Sequence, residues 1–345
     1  MLKQQTIDRK QFLRLSALAG IGIGIRSSAS AMRYKPFAEG KKIGIIGLDT
    51  SHAVAFVKSL NGDKPDPVFM GYRVAAAYPQ GSKDIPSSVE RIPGYTAEVQ
   101  KYGVVIATSI ADLLSKVDVV CLETNDGRLH LEQALPVLKA GKPLFIDKPI
   151  TASLKDAVAI FKAAEQYKVP VFSSSSLRYI NGLNEIVRGD YGKVIGAQTY
   201  SPAPLEKTHP DLFWYGIHGV EILFTAMGPG CQSVIRMHTP ETDVVAGIWN
   251  DGRIGSFRGT RSGKSDYGGT IFTEKQTVTL GSFKGYDPLL KEIIRFFETG
   301  KSPVAPKETL DILAFMEAAD ESKKRNGLPV TLESIYKKAN YKASN

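Results

Sequence analysis

Residues 44–52 read GIIGLDTSH and directly follow the basic pair Lys41 and Lys42. An apolar run that leads into a glycine turn and then a helix is typical of a dinucleotide-binding loop. Such a loop normally has three glycines, which make the turn, let the backbone approach pyrophosphate and allow close helix–strand packing. Gly47 fills the first position, whereas Asp49 and His52 occupy the other two. The stretch therefore predicts a fold more firmly than it predicts a bound dinucleotide.

The chain around this loop alternates short apolar runs with helical patterns. Candidate strands cover 42–48, 73–78, 104–108, 118–124, 143–147 and 169–175, with helices near 51–61, 94–102, 109–116, 130–140 and 153–167. Short, nearly continuous apolar strands separated by helices indicate a parallel sheet covered on both faces. We therefore predict the α/β class, with a doubly wound, Rossmann-type domain over 41–176. Ligands of such a sheet bind at the carboxyl ends of its strands.

The pattern changes after residue 176. A helical stretch over 213–228 is followed by alternating strands with hairpin signals, among them Asn250-Asp251-Gly252. Two helices are predicted near 287–298 and 308–325. These features predict an α+β substrate and oligomerisation domain with an open antiparallel sheet over 177–330, and then a C-terminal tail over 331–345. A chain of 345 residues has room for both domains.

The first 31 residues resemble an export signal. Basic residues precede the apolar run LSALAGIGIGI, and Ala29-Ser30-Ala31 gives the A-x-A pattern of a signal-peptidase site. DRKQFLR resembles a twin-arginine signal, with Lys10 at the second arginine position. The apolar run is too short to span a bilayer stably. We expect export by the twin-arginine machinery to the periplasm, without stable membrane insertion after processing. The alternative is a cytoplasmic protein with a disordered or loosely helical N-terminal tail.

The charge and the cysteines of the chain exclude some classes of function. Of the formal net charge of +9, residues 1–31 contribute +4, from five basic residues and one acidic residue, which leaves +5. No Lys/Arg run with interleaved aromatics occurs in the remainder, so no nucleic-acid partner is expected. Cys121 and Cys231 fall in different predicted domains, and no Cys/His cluster with metal-ligand spacing is present. The sequence therefore predicts no metal site and no disulfide framework.

The stretch PLFIDKPI places Asp147, Lys148 and Pro149 at the end of the fifth predicted strand, the edge where ligands bind. A lysine that leaves a buried strand is costly unless it serves a ligand or partner. The alternative is a lysine whose stem packs on apolar surface while its amine pairs with Asp147.

The longer stretch HLEQALPVLKAGKPLFIDKPIT resembles the Gfo/Idh/MocA family of NAD(P)-dependent sugar oxidoreductases. Its members carry a Glu-Lys-Pro motif after a similar helix end, and Asp147 replaces the Glu here. The resemblance covers roughly residues 41–325 and implies oxidation of a CH–OH group with NAD or NADP. The motif lysine contacts both cofactor and substrate in the family, so the resemblance implies that Lys148 polarises the reacting oxygen.

The family's second signature, D-x-G-x-H-x-x-D, resembles WYGIHGVE. Gly216 and His218 match, Glu221 replaces the second Asp, and Trp214 replaces the first. The resemblance implies that His218 is the acid/base that takes a hydroxyl proton. On a helix Glu221 shares a face with His218 and is expected to orient the imidazole. Trp214 could stack on a sugar ring.

Further candidates lie at the strand ends and in SSSSLRY (173–179). The serines could donate hydrogen bonds to a nicotinamide carboxamide or could form a polar turn. Arg178-Tyr179 resembles an Arg-Phe pair of the family. The predicted substrate-binding residues are Arg178, Trp214, Tyr215 and His218. The predicted cofactor-binding residues are Gly47, Asp49, Thr50, Ser51, His52, Tyr78, Glu123, Thr124, Asn125, His130, Asp147, Lys148 and Pro149, although helix-start packing is the favoured role of His130.

The glycine-poor loop raises the question of how phosphates would be held. Asp49 could cap the following helix, and its carboxylate would then compete with pyrophosphate. If a cofactor binds, Asp49 must turn away from it, and the hydroxyls of Thr50 and Ser51 should face it. No acidic residue for the ribose 2′-OH directly follows the second strand; YPQGSKD offers Ser82 and Lys83 before Asp84. NADP is therefore an option beside NAD.

Three functions are compatible with the sequence. The first is hydride transfer from a sugar or sugar-like polyol to NAD or NADP, which a periplasmic enzyme would hold tightly. The second is a glycosidase or lyase of the same family type that oxidises its sugar only transiently. The third is a cofactor-free binding protein, which Asp49 and His52 favour. The particular sugar and the electron acceptor are not specified. A homo-oligomer is expected because open antiparallel sheets of such domains often pair.

Overall fold

The computed structural model describes residues 40–341. The export signal predicted over residues 1–31 lies outside the described residues. The strands are β1 Lys42–Ile46, β2 Arg73–Tyr78, β3 Val105–Ile106, β4 Val119–Leu122, β5 Leu144–Asp147, β6 Val171–Ser174, β7 Val194–Pro202, β8 Cys231–Thr239, β9 Thr242–Trp249, β10 Ile254–Thr260, β11 Gly268–Thr273, β12 Thr277–Thr279 and β13 Val330–Thr331. The α-helices are α1 Ser51–Asn61, α2 Pro86–Gln100, α3 Ile110–Leu114, α4 His130–Lys139, α5 Leu154–Tyr167, α6 Leu183–Arg188, α7 Ile217–Met227, α8 Asp287–Thr299, α9 Pro306–Lys324 and α10 Leu332–Lys338.

The first six strands form one parallel sheet in the order β3-β2-β1-β4-β5-β6. This is the doubly wound order, so the predicted Rossmann-type fold is confirmed. Strands β4, β5 and β6 are buried along their whole length because helices cover both faces of the sheet. The order changes direction between β1 and β4, and the crevice at that point is where ligands of such sheets bind.

The helices of this domain follow the predicted pattern with one difference. Ser153 caps α5, where its Oγ accepts a hydrogen bond from Asp156 N at 3.2 Å. Helix α2 begins at Pro86, eight residues before the expected start near 94. Pro86 is tolerated in the first turn because no N–H is needed there. Pro93 and Gly94 lie inside the helix, although both residue types commonly interrupt one.

The remaining strands form a seven-stranded sheet in the order β12-β11-β7-β10-β9-β8-β13. It is mostly antiparallel, as predicted, but β7 and β10 pair in parallel, so the sheet is mixed. The predicted hairpin at 250–252 joins β9 to β10, with Gly252 at φ +83°. Helix α7 packs against the inner face of this sheet, where Phe224 and Phe257 belong to the same core.

The C-terminal segments differ from the expected domain boundaries. Residues 331–345 were expected to form a tail, but β13 pairs with β8, and α10 buries Leu332, Ile335 and Tyr336. Helix α8 packs on the first sheet instead of the second: the rings of Phe296 and Phe172 lie 4.7 Å apart. Burial of apolar side chains, which is non-directional, therefore overrides sequence order here. No helix among residues 40–341 is both long enough and apolar enough to cross a membrane.

Candidate active site

A cavity of about 100 Å³ lies where the carboxyl ends of β1, β4, β5 and β6 meet the start of α7. Residues far apart in sequence share it, and most of them were predicted site residues. They are Thr50, Ser51, His52, Arg91, Asn125, Lys148, Ser176, Leu177, Tyr215, His218, Tyr267, Phe283 and Tyr286. The parallel strands thus gather the polar groups of their carboxyl ends at one site.

Lys148 directly follows β5 and is 6% exposed. Its Nζ lies 5.7 Å from the centroid of the Tyr215 ring, within the range of a cation–π contact. The amine therefore faces the cavity that His218 also lines. A buried cation beside an aromatic face is suited to hold a partly negative oxygen.

His218 is the second residue of α7 and is almost completely buried. Its Nδ1 lies 2.7 Å from Ser175 Oγ, which also accepts a hydrogen bond from Leu177 N at 3.1 Å. The Tyr215 and Tyr267 rings meet the imidazole edge to face. Burial, and then the charge of Lys148, hold the pKa of His218 well below 6.5. The imidazole is therefore neutral at neutral pH, as a proton acceptor must be.

Glu221 does not contact His218, which corrects the expected orienting role. Its Oε1 accepts hydrogen bonds from Ser174 Oγ at 2.9 Å, Ser175 N at 2.8 Å and Arg178 Nε at 3.0 Å. Burial raises the pKa of Glu221, and Arg178 opposes that shift. Ser175 therefore orients the imidazole, and Glu221 fixes the turn that carries Ser175.

Arg178 and Trp214 were predicted to bind substrate, but neither lines the cavity. The buried Arg178 guanidinium pairs with Glu221 and, at 2.6 Å, with Glu308 of α9. These two ion pairs hold the turn after β6 against α9. The Trp214 ring packs 5.2 Å from the His209 ring and is 9% exposed. Of the aromatic pair at 214–215, Tyr215 lines the cavity.

The GIIGLDTSH loop shows how the structure accommodates its missing glycines. Gly47 has φ +93°, and a Cβ there would lie 2.4 Å from Thr124 N. Asp49 does not cap α1, contrary to one expectation: its Oδ1 accepts a hydrogen bond from Asn125 N at 3.0 Å. Its Oδ2 accepts from Ser82 N at 3.4 Å, and burial raises the pKa of Asp49. The carboxylate is thus turned away from the helix N-terminus.

The N-terminus of α1 fits a phosphate group. Thr50 is the N-cap residue, and its side chain makes no capping hydrogen bond. Its Oγ1 is buried without a hydrogen-bond partner among the described residues. Ser51 Oγ lies 2.9 Å from Tyr286 OH at the cavity. Free N–H groups and a positive helix dipole favour an anion at this position.

Ser82, which follows β2, is not available to bind the 2′-phosphate of NADP. Ser82 Oγ lies 2.8 Å from both Asp84 Oδ1 and Asp126 Oδ2, and Arg128 pairs with the same two carboxylates. The Ser82 hydroxyl is therefore committed within the protein, while Lys83 is exposed. Tyr78 is half-buried, and its carbonyl accepts a hydrogen bond from Gly47 N at 2.9 Å.

His130 ties two loops of the site together. Its Nε2 lies 2.7 Å from Thr124 O and its Nδ1 3.0 Å from Ile150 O, and the ring is completely buried. Burial lowers its pKa. These contacts agree with helix-start packing and give His130 no direct access to a cofactor. Pro149, which follows Lys148 through a cis peptide bond, belongs to the adjoining loop.

Three further predicted residues form a buried cluster beneath the cavity. His52 Nδ1 lies 2.9 Å from Asp147 Oδ2 and 3.8 Å from Glu123 Oε2. Both carboxylates are inaccessible to solvent, and burial raises the pKa of Glu123 well above 4.5, with Asp147 adding to the shift. His52, which occupies the third glycine position, thus places an imidazole against two acids.

Sequence reasoning missed several residues of the site. Tyr267 and Tyr286 flank His218 and His52 respectively, with ring centroids 5.5 Å and 4.4 Å apart. Tyr267 directly precedes β11 and Tyr286 directly precedes α8, and neither belongs to a motif. Ser175 was part of the serine run at 173–176, but its bond to His218 connects distant parts of the chain.

Comparisons with known proteins agree with this fold. Residues 41–175 match the sequence model of the Gfo/Idh/MocA oxidoreductase family, NAD-binding Rossmann fold. The match covers 135 of the 345 residues and supports, for this domain, the resemblance that the sequence motifs indicated. An uncharacterized oxidoreductase of Streptococcus pneumoniae serotype 4 is 25% identical over 159 residues, which are 44% of this chain and 43% of that relative's length.

Solved structures share the fold over most of the chain. A probable dehydrogenase from Thermotoga maritima superposes with a TM-score of 0.68 at 18% identity, covering 85% of this chain and 99% of that one. Scyllo-inositol dehydrogenase from Lactobacillus casei, solved with bound NAD(H) and scyllo-inositol, has a TM-score of 0.66 at 14% identity, with 85% and 99% covered. At these identities the similarity demonstrates the fold.

Proposed function

We propose that this protein is an NAD(P)-dependent oxidoreductase that oxidises a CH–OH group of a sugar or sugar-like polyol by hydride transfer. The observation that carries the proposal is that Lys148 and the neutral His218 line one cavity at the carboxyl edge of the sheet. The scyllo-inositol found in the Lactobacillus casei enzyme supports a polyol as the substrate class.

The cofactor proposal rests on the residues around β1. The uncapped start of α1, with Thr50 and Ser51, would hold the pyrophosphate, and Gly47 makes the tight turn that leads into this helix. The commitment of Ser82 to Asp84 and Asp126 favours NAD over NADP. A periplasmic location, proposed from the N-terminal sequence, would favour a cofactor that stays bound between turnovers.

The side chains divide the chemistry between them. Lys148 would hold the substrate oxygen through its ammonium group, which stabilises the charge that develops there. His218 would take the hydroxyl proton at Nε2, because Ser175 engages Nδ1. A bound nicotinamide supplies the acceptor for the hydride that leaves the same carbon. Tyr215 and Tyr267 would keep water from the imidazole.

Cofactor retention and two variants test the proposal. Purified protein is denatured, and released NAD and NADP are quantified; refolded protein is titrated with each. Lys148→Ala and His218→Ala should retain the fold and lose turnover of inositols, whereas the exposed Lys155→Ala and His238→Ala should keep it. If neither dinucleotide binds at millimolar concentration, the protein is a cofactor-free binding protein. Glycoside cleavage without net reduction would instead identify a redox-cycling glycosidase or lyase.

A further inference from the structure

The cluster of His52, Glu123 and Asp147 draws on three separate elements. His52 is the second residue of α1, Glu123 follows β4, and Asp147 ends β5. One ligand atom from each lies within 4.8 Å of the others. The His52 side chain is 8% exposed, and both acid side chains are 0% exposed. Three donors of the types that bind metals therefore converge in the interior.

The two carboxylates of the cluster are buried without a well-formed hydrogen bond, although His52 and the charge of Lys148 lie near them. Neither oxygen of Glu123 and neither oxygen of Asp147 makes a hydrogen bond to a described residue. His52 Nδ1 is 2.9 Å from Asp147 Oδ2 but is not aligned as a hydrogen bond. Buried polar groups are almost always hydrogen-bonded, and buried charges are paired or bound to metals. The charge of Lys148 acts on both acids, and His52 adds to its effect on Asp147.

The spacing of the ligand atoms suits a small divalent ion. Nitrogen and oxygen ligands lie roughly 2.0–2.2 Å from zinc, so neighbouring ligand atoms of a tetrahedral site lie roughly 3.3–3.6 Å apart. The observed separations from His52 Nδ1, 2.9 Å to Asp147 and 3.8 Å to Glu123, lie on either side of that range. All three ligand atoms lie within 4.8 Å of one another, so one small ion could be reached from each of them.

We propose that His52, Glu123 and Asp147 bind one divalent transition-metal ion, of which Zn²⁺ and Mn²⁺ are the best matches. Imidazole favours zinc and its neighbours, carboxylates favour manganese, and an all-oxygen set would be needed for Ca²⁺. Two carboxylates balance the charge of the ion, and the ammonium group of Lys148 faces the Tyr215 ring. The dinucleotide is not needed for this site.

The position of the cluster gives the ion access to the cavity. His52 lines the cavity wall beside Lys148 and Asn125, while the two carboxylates lie behind it. Three protein ligands leave a fourth position, which is the arrangement of catalytic zinc sites. A water molecule or a substrate oxygen would occupy that position.

Metal titration of the full-length protein tests the proposal. Protein stripped with EDTA is titrated with Co²⁺, whose visible absorption reports tetrahedral or five-fold coordination, and with Zn²⁺ and Mn²⁺ by calorimetry. One ion should bind per chain. Glu123→Gln and His52→Gln should each weaken binding by about 100-fold or more, since even outer-shell changes cost ~10–100-fold. Glu123→Gln is isosteric with a protonated glutamate, so it should preserve the fold.

A second His–Asp contact provides the control. His238 Nδ1 lies 3.8 Å from Asp243 Oδ1, but Arg236 and Arg261 already pair with that carboxylate. His238→Gln should therefore leave the affinity unchanged. The proposal is overturned if no ion binds at millimolar concentration, or if binding persists in Glu123→Gln and His52→Gln. Failure of NAD(P) binding with intact metal binding would refute the proposed cofactor and not this site.

Discussion

Replacing Gly47 by Ala tests two structural constraints on the GIIGLDTSH loop: the positive φ of Gly47 and its close approach to Thr124. At φ +93° any side chain is strained, and the added Cβ would also lie 2.4 Å from Thr124 N and 2.6 Å from Thr124 Cα. The left-handed conformation costs about 1–2 kcal/mol. The contact is with backbone, which cannot rotate away, and such overpacking costs about 1–3 kcal/mol. We therefore expect Gly47→Ala to lower the free energy of unfolding by about 2–5 kcal/mol.

Gly252→Ala is the matched control. Gly252 has φ +83°, but nothing lies within 4 Å of an added Cβ. It should therefore cost only the conformational ~1–2 kcal/mol. Urea unfolding of both variants, followed by tryptophan fluorescence, gives the difference from their midpoints and slopes. Gly47→Ala should also weaken NAD binding, because Thr124 must move, while Gly252→Ala should not. Equal midpoints for the two variants would refute the close approach of the loop to Thr124.

The other predictions concern pH, domain packing and assembly. The pKa of folded His218 lies well below 6.5, so kcat/KM should be unchanged around pH 6.5 and should fall only in more acidic solution. A fall in kcat/KM centred near pH 6.5 would contradict the depressed pKa. The unfolded chain takes up this proton near pH 6.5 and the folded chain does not, so stability should drop as pH falls below 6.5, and less in His218→Gln. Phe296→Ala should cost about 3–5 kcal/mol in denaturant unfolding, since the ring is fully buried against Phe172; a cost below about 1 kcal/mol would show that α8 does not pack there. Met237→Asp, on the exposed apolar face that also includes Ile235, should dissociate an oligomer in sedimentation experiments with a stability change within about 0.5 kcal/mol; an unchanged mass above that of the monomer would place the interface elsewhere.

Local sequence patterns were sufficient to predict the fold of the first domain. Alternation of buried strands with helices predicted the parallel sheet, because each pattern reflects the period of its own element. The same reasoning located Lys148 at the ligand-binding edge, since a residue that follows a strand must lie there. Helix α2 is the exception, because Pro93 and Gly94 obscured a helix that tertiary packing supports.

The second domain was less predictable because its pairing is long-range. Hairpin signals identified neighbouring strands, but the parallel pairing of β7 with β10 joins segments with three elements between them. Residues from 331 onward were predicted to be a tail because β13 is only two residues long and gains its stability from β8. Short strands have no periodicity from which they could be identified.

The sequence by itself determined the fold class, because the patterns of strands and helices are local. It named Lys148 and His218 through the resemblance of two short stretches to motifs of the Gfo/Idh/MocA family. The tertiary structure decided which side chains meet. Helical spacing placed Glu221 beside His218, yet the chain brought Ser175 to the imidazole instead. It also turned Asp49 away from α1 and packed His52 against Glu123 and Asp147. Side-chain direction depends on contacts between distant segments, and no local pattern in GIIGLDTSH contains that information.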